Sequence, residues 1–219
     1  MSDKAGGVVV VGLGRFGSAV ARSLAAIGHE VLGIDDDMEL VQKFSEELTH
    51  VVQADATDAQ TLRRLGVGDM QHAVVGIGSD VEASILTVVA LADAGCTDIW
   101  AKAVSESHGR ILQKVGARHI VYPEADMGER VAHQVSGRMI DFVEIGGGYV
   151  IVTTRAPAAA ANQPVERLQA TLLPGVHLLG VKRQQEPFVP VTPDMVIRVA
   201  DLLVVAGPAD AVERFAAGT

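Results

Sequence analysis

A glycine-rich segment, G-L-G-R-F-G at residues 12–17, follows four consecutive valines near the start of the chain. The valines predict a buried strand, and the apolar spacing after the loop predicts a helix over residues 16–27. At such a junction Gly12 permits a tight turn, Gly14 lets the backbone approach a diphosphate, and Gly17 lets the helix pack close to the strand. The free N–H groups and the dipole of the helix N-terminus would attract the anion. The segment therefore predicts a nucleotide-binding domain.

A carboxylate stands where such a domain needs one. Asp35 closes the predicted second strand, 23 residues after Gly12, and is expected to accept hydrogen bonds from ribose hydroxyls. An acid at this point disfavours a ribose 2′-phosphate and hence NADP. Asp37 is a further candidate contact, whereas Asp36 is interpreted as a helix N-terminal acid. The alternative is a solvated acid beside a glycine turn that binds nothing.

Arg15 bears on which nucleotide would bind. The backbone of the loop already cradles two phosphates, so a guanidinium inside it could reach a terminal phosphate in a bidentate contact. This fits ATP or ADP at least as well as NAD. The alternative is a surface arginine with no fixed partner. Phe16, the next residue, is counted among the candidate contacts.

Further candidates follow the other predicted strands, because ligands of open parallel sheets bind at the carboxyl ends of the strands. Residues after the third strand could flank an adenine, and the backbone after the fourth could approach the ligand closely. Lys102 could supply a positive charge, or could equally be an edge cation. The candidates of the third and fourth strands are Asp55, Ala56, Thr57, Ile77, Gly78 and Ser79.

Strands and helices alternate over the first part of the chain. Crossovers of this length make the sheet parallel and right-handed, which predicts an α/β, Rossmann-like, doubly wound fold. Thr57 and Gln60 predict a capping box for one short helix. The predicted strands are 8–12, 31–35, a strand beginning at 51–52, 73–77, 99–103 and 119–122, and a longer helix is predicted over 123–139.

After residue 138 the pattern changes to short β segments with two brief helices. We therefore expect two domains, a nucleotide-binding domain over 1–138 and a smaller α+β lobe over 139–219. The β segments are 141–145, 149–154, 177–182, 188–191 and 201–206, and the helices lie near 165–168 and 209–217.

Composition limits the function. The net charge of −9 argues against a nucleic-acid partner. The single cysteine, Cys96, allows no internal disulfide and fits a reducing compartment. Because signal-peptide and membrane-spanning patterns are absent from the sequence, we expect a cytoplasmic protein that reaches a membrane only through a partner. No nucleophile–base or zinc-ligand spacing is visible, so a ligand sensor is expected rather than an enzyme.

Five segments of the chain, in this order, resemble one known family. They are similar to the regulatory subunits of bacterial potassium transporters of the KtrA and TrkA type, which are built from the RCK (regulator of K⁺ conductance) domain. The similarity extends over nearly the whole chain. The segments are G-L-G-R-F-G (12–17), G-H-E-V (28–31), D-A-T (55–57), I-W-A-K-A (99–103) and P-E-A-D-M-G (123–128).

The resemblance implies specific roles in the first lobe. It implies that the lobe binds ATP or ADP, with Arg15 on the terminal phosphate and Asp35 on the ribose. It also implies that Glu124 helps to hold a divalent cation, Mg²⁺ or Ca²⁺, near the phosphates at a subunit interface. From its position after Pro123 alone, Glu124 would be an ordinary acid of a helix first turn.

The resemblance also implies partners. It implies a homodimer formed through the second lobe, assembled into an octameric ring under a K⁺-translocating membrane subunit at the inner face of the membrane. A second ligand, in many members cyclic di-AMP, would bind around residues 162–167 and Pro190. The alternatives to nucleotide gating are a sensor of NAD redox state and a small NAD-dependent oxidoreductase.

Overall fold

The structure is a computed structural model that describes residues 7–70, 72–135, 140–183 and 186–218. The chain divides into two compact units, Met1–Glu124 and Ala125–Thr219, and each unit is described here by itself. Among the described residues, no helix combines the length and the apolar character needed to cross a membrane.

The first unit is built on six strands that alternate with helices. The strands are β1 (Val8–Val11), β2 (Val31–Asp35), β3 (His50–Gln53), β4 (His72–Val75), β5 (Ile99–Lys102) and β6 (His119–Val121). The helices are α1 (Arg15–Ala26), α2 (Met38–Phe44), α3 (Ala59–Arg64), α4 (Val81–Asp93), α5 (Glu106–Lys114) and α6 (Pro123–Val135), the last of which continues into the second unit.

The strands form one parallel sheet in the order β3-β2-β1-β4-β5-β6. Right-handed crossovers place α1 and α2 on one face of the sheet and α3, α4 and α5 on the other. The alternate residues of β1 divide accordingly, since Val8 and Val10 join the core under α1 and α2 while Val9 and Val11 join the core on the opposite face. The predicted doubly wound Rossmann-like fold is confirmed.

The second unit contains an antiparallel sheet. Its strands are β7 (Asp141–Gly146), β8 (Tyr149–Arg155), β9 (His177–Lys182), β10 (Phe188–Pro190) and β11 (Leu202–Pro208), with helices α7 (Val165–Thr171) and α8 (Ala209–Ala217). The strand order is β10-β9-β11-β8-β7. Alternating residues of β8 and β11 fill the core, where Val152, Leu203 and Val205 have no exposed surface. The predicted smaller α+β lobe is confirmed.

The structure corrects the predictions for β4 and for the start of α3, and it adds a 3₁₀ helix. Strand β4 spans His72–Val75 rather than 73–77, and a 3₁₀ helix at Val67–Asp69 was not predicted. Asp58, rather than Thr57, caps α3, because its carboxylate accepts from the backbone N–H groups of Gln60 (3.0 Å) and Thr61 (3.2 Å). The last four residues of the longer predicted helix, 136–139, lie outside the described residues.

Candidate functional site

The glycine loop joins β1 to α1 through close backbone contacts. Gly12 has a φ of +85°, which favours glycine, and a Cβ at Gly17 would collide with the carbonyl oxygen of Gly12. Gly76, which follows β4, was not among the predicted site residues. A Cβ there would lie 2.9 Å from the same carbonyl oxygen and 3.0 Å from the Gly17 Cα. The three glycines let the loop, the helix and the end of β4 meet.

Helix α1 begins without a side-chain cap. Its N-cap is Gly14, and no acidic residue lies in its first turn. Helices α2, α3, α4 and α5 each begin with a side chain that accepts from a backbone N–H group, namely Asp37, Asp58, Asp80 and Ser105. The first N–H groups and the positive end of the dipole at α1 are therefore open to an external anion.

Asp35 lies where the sequence places it, at the end of β2 beside the loop. It is 8% exposed, and its Oδ2 accepts from the Leu13 N–H at 2.5 Å while its Oδ1 accepts from the Asp37 N–H at 2.9 Å. The carboxylate thus fastens the glycine loop to β2. A carboxylate has about four acceptor positions, so both oxygens retain capacity for a ribose hydroxyl.

Asp36 and Asp37, which follow Asp35, both accept hydrogen bonds within the protein. The Oδ1 of Asp37 caps α2 by accepting from the Glu39 N–H at 2.8 Å. The backbone carbonyl of Asp36 accepts from the side-chain amide of Gln53 at 2.9 Å. Asp37, rather than Asp36, is therefore the acid that supports the start of α2.

The segment after β3 forms a tight turn next to this end of β2. The Oδ1 of Asp55 accepts from both the N–H (2.9 Å) and the hydroxyl (2.6 Å) of Thr57, and Ala56 is buried between them. The Ala54 N–H donates to the Asp35 carbonyl at 3.0 Å. The turn is thus held at the same edge of the sheet as Asp35.

Lys102 and Glu124 meet at the carboxyl ends of β5 and β6. The Lys102 Nζ lies 2.6 Å from the Glu124 Oε1, with side-chain exposures of 12% and 65%. A Cβ at Gly78 would lie 2.9 Å from that Nζ, so Gly78 provides the space for the ammonium. The pKa of Glu124 lies below its ordinary value mainly because Lys102 donates this hydrogen bond, and the charge of Arg15 adds to the effect. Lys102 and Glu124 thus form an ion pair beside Gly78, and the charge of Arg15 reaches Glu124.

The remaining candidates are less closely grouped. Ile77 packs against the loop, since a Cβ at Gly12 would lie 3.0 Å from its Cγ1, and Ser79 is exposed. The side chain of Phe16 lies with Val20 and Leu24 in a groove of about 370 Å³ on the sheet face. Only the backbone of Phe16 is therefore available to a phosphate in the loop.

The region offers one carboxylate to a divalent cation. Among the described residues, no group of three or more His, Cys, Asp or Glu side chains is arranged to hold a metal ion. Mg²⁺ is commonly bound by one or two carboxylates together with phosphate oxygens and water. The exposed Glu124 fits such a shared site, in which bound phosphates would supply the other ligands.

Comparisons with known proteins agree with this architecture. The TrkA-N domain model matches residues 8–123, and the TrkA-C domain model matches residues 149–217. The chain is 35% identical over 207 residues to the Ktr system potassium uptake protein C of Bacillus subtilis (strain 168), covering 94% of each chain.

Solved structures share the fold at low sequence identity. The GsuK channel bound to NAD superposes with a TM-score of 0.68 at 18% identity, over 99% of this chain and 40% of that chain. GsuK bound to ADP superposes with a TM-score of 0.53 at 18% identity, over 63% of this chain and 36% of that chain. This chain thus spans less than half the length of either GsuK chain.

Proposed function

The chain belongs to the family of proteins built from a TrkA-N domain followed by a TrkA-C domain, and on that premise we propose that it is a non-enzymatic, nucleotide-sensing regulatory subunit of a potassium transport system. The observation that carries the proposal is the N-terminus of α1, which follows the glycine loop, has no side-chain cap and begins with the exposed Arg15. The name of the B. subtilis relative supports potassium uptake as the process.

ATP and ADP are the proposed ligands of the first unit. The glycine loop takes the inner phosphates, Asp35 takes the ribose, and the turn at 55–57 borders the base. Arg15, which is exposed in the first turn of α1, would contact a terminal phosphate, and its charge contributes to lowering the pKa of Glu124. One phosphate more or less therefore changes the number of charges that this region must balance.

A divalent cation, Mg²⁺ or Ca²⁺, is proposed to join the nucleotide at Glu124. In the structure this carboxylate is paired with Lys102. Phosphate oxygens would compete for the Lys102 ammonium and would leave the Glu124 carboxylate available to the cation. The cation would compensate the charge of the phosphates beside the carboxylate.

Regulation would follow from different affinities for two states of the assembly. Moving such an equilibrium from about 1:99 to about 99:1 requires about 5.5 kcal/mol of differential binding. We propose a homodimer that assembles into an octameric ring, in which several sites add small differences. Leu86 on α4 and Ile111 on α5 are 44% and 45% exposed and supply apolar surface for such contacts.

The ring would act on a K⁺-translocating membrane subunit, which would hold this cytoplasmic protein at the inner face of the membrane. In the second unit we propose a separate ligand site for cyclic di-AMP around residues 162–167 and Pro190. Asn162 has a φ of +61°, and its N–H donates to the Ile197 carbonyl at 2.8 Å, so this segment has a defined conformation.

Calorimetric titration with ATP and ADP tests the proposal. We expect both to bind, and we expect Arg15→Ala to weaken ATP more than ADP because only ATP has a third phosphate. Arg110→Ala, which removes an exposed arginine of α5, is the matched control and should change neither affinity. Equal losses for both nucleotides in Arg15→Ala would remove the role of Arg15, and no binding of either would refute nucleotide sensing.

NAD is the second candidate ligand, because the loop and Asp35 would accept the adenosine diphosphate part of NAD equally well. The NAD-bound GsuK channel has the same fold and supports this alternative. Competition between NADH and ATP in the same titration separates the two: tight NADH binding without ATP binding would favour a redox sensor or a small oxidoreductase.

A further inference from the structure

Strands β4, β5 and β6 present an open surface on the face of the sheet that carries α1. A groove there is lined by Val74, Trp100 and Val121 of the sheet and by apolar side chains of α1. Trp100 is 40% exposed. A polar cluster lies at the amino-terminal ends of these strands, and it has no part in the nucleotide site.

In this cluster one carboxylate is shared by two imidazoles. The Oδ2 of Asp98 lies 2.6 Å from the Nδ1 of His72, and its Oδ1 lies 3.0 Å from the Nε2 of His119. The sheet brings them together, since His72 begins β4, His119 begins β6, and Asp98 immediately precedes β5. The Asp98 carbonyl also accepts from the Ala73 N–H at 3.0 Å, which fixes the backbone between the histidines.

Trp100, which lines the groove, is in direct contact with this cluster. Trp100, the one tryptophan of the sequence, stacks on the His119 ring with a centroid separation of 4.0 Å and an interplanar angle of 17°. Because the two residues are cross-strand partners of β5 and β6, the sheet register maintains the stack.

Few other ionisable groups face the cluster. Among the described residues that line the groove, His29 is the one titratable residue besides His72 and Asp98. His29 precedes β2. The groove residues from α1 are all apolar. Arg118 immediately precedes His119, and Lys102 lies two residues beyond Trp100, where it is paired with Glu124.

We propose that His72, Asp98 and His119 form a proton-sensitive element that sets the charge of this open face of the sheet. With both imidazoles neutral, the cluster carries the single negative charge of Asp98. With both imidazoles protonated, it carries a net positive charge. Histidine is the side chain best suited to gain or lose a charge near physiological pH, and two imidazoles on one carboxylate make the charge of this face depend on proton concentration.

The carboxylate keeps its charge while the imidazoles gain protons. The pKa of Asp98 is lowered mainly by the hydrogen bond from His72 and further by the one from His119. Each imidazole has its own carboxylate oxygen, so both rings remain oriented as they gain protons. Protonation therefore changes the charge of the face while the arrangement of the strands is retained. The proposal does not depend on nucleotide binding.

The emission of Trp100 tests the proposal in the full chain without nucleotide. A protonated imidazole stacked on an indole quenches its fluorescence more strongly than a neutral one. We expect a sigmoidal decrease in emission as the pH falls from about 8 to about 5, with the far-UV circular dichroism unchanged. The decrease should vanish in His119→Gln and persist in His177→Gln, which removes an exposed histidine of β9.

Asp98→Asn tests the carboxylate. Its amide lacks the negative charge that favours an imidazolium, so we expect the decrease to move to lower pH. A flat emission profile in the wild type, an unaltered decrease in His119→Gln, or an unaltered midpoint in Asp98→Asn would each overturn the proposal. If a variant does not fold, the ring-proton chemical shifts of His72 and His119 in the wild type give the same answer, and the absence of titration between about pH 5 and 8 would refute it.

Discussion

Lys102 and Glu124 form a 2.6 Å ion pair across the carboxyl ends of β5 and β6. In register, Lys102 is the partner of Val121, so the helix that starts at Pro123 carries Glu124 back over the ammonium. The pair joins a cation suited to phosphate and an acid suited to a metal ion.

We expect Glu124→Gln to abolish the contribution of Mg²⁺ to ATP affinity, because an amide is a far weaker ligand for this ion than a carboxylate. Calorimetry with Mg²⁺ and with EDTA measures the difference. Without the cation, the variant should bind ATP at least as tightly as the wild type, since one negative charge has been removed. Glu82→Gln, at a first-turn acid of α4, is the control. An equal gain from Mg²⁺ in the Glu124 variant and the wild type would contradict the metal role.

Replacing Gly17 by alanine should disrupt the first unit, because the new methyl group would collide with the Gly12 carbonyl. We expect a loss of about 1–3 kcal/mol in the free energy of unfolding and a large loss of nucleotide affinity. Urea unfolding followed by Trp100 emission measures the first effect. Gly128→Ala, at a helical glycine whose Cβ would meet open space, should be neutral or stabilising. Wild-type stability of Gly17→Ala would show that the loop is not packed as described.

The Asp98 carboxylate should make stability depend on pH in a defined direction. Its pKa is lower in the folded protein, so its stabilisation is present above the unfolded value, about 3.9, and is lost as the pH falls through the folded value. Asp98→Asn should therefore cost about 1 kcal/mol at neutral pH, and the difference should shrink once the pH falls below the unfolded value, about 3.9. Urea unfolding followed by Trp100 emission, at neutral pH and below about pH 3.9, tests this prediction. Asp194→Asn, at an exposed residue, is the control. A difference that grows as the pH falls below about 3.9 would contradict the prediction.

Cys96 should be unreactive in the native protein. It is 4% exposed, and burial raises the pKa of its thiol, which lowers the population of the reactive thiolate. A chromogenic disulfide reagent should react slowly at neutral pH and with one equivalent after denaturation. Rapid labelling of the folded chain would indicate that the region around Cys96 opens.

Local patterns were enough to predict much of the fold. Buried valine runs and apolar helical spacing gave β1, α1 and β2 close to their observed bounds, because both signals lie within a few residues. The predicted N-cap of α3, Thr57, was wrong. Asp58 takes this position because its carboxylate offers two acceptors to the backbone N–H groups.

Features that depend on register were not predicted. Gly76 meets the loop, and Asp98 meets His72 and His119, only after parallel strands distant in sequence have been aligned. The side chain of Phe16 likewise turns to the sheet face because helical spacing aligns it with Val20 and Leu24. The V-V-G-I-G run at 74–78 was the one sequence signal that could have indicated Gly76.

The contact among Gly12, Gly17 and Gly76 consists of backbone atoms. The turn of the glycine loop is thus set by backbone contacts and not by the side chain of Arg15, which is exposed. Replacing Arg15 would therefore change the ligand preference and retain the turn. A side chain at Gly12, Gly17 or Gly76 would instead displace the backbone of the loop.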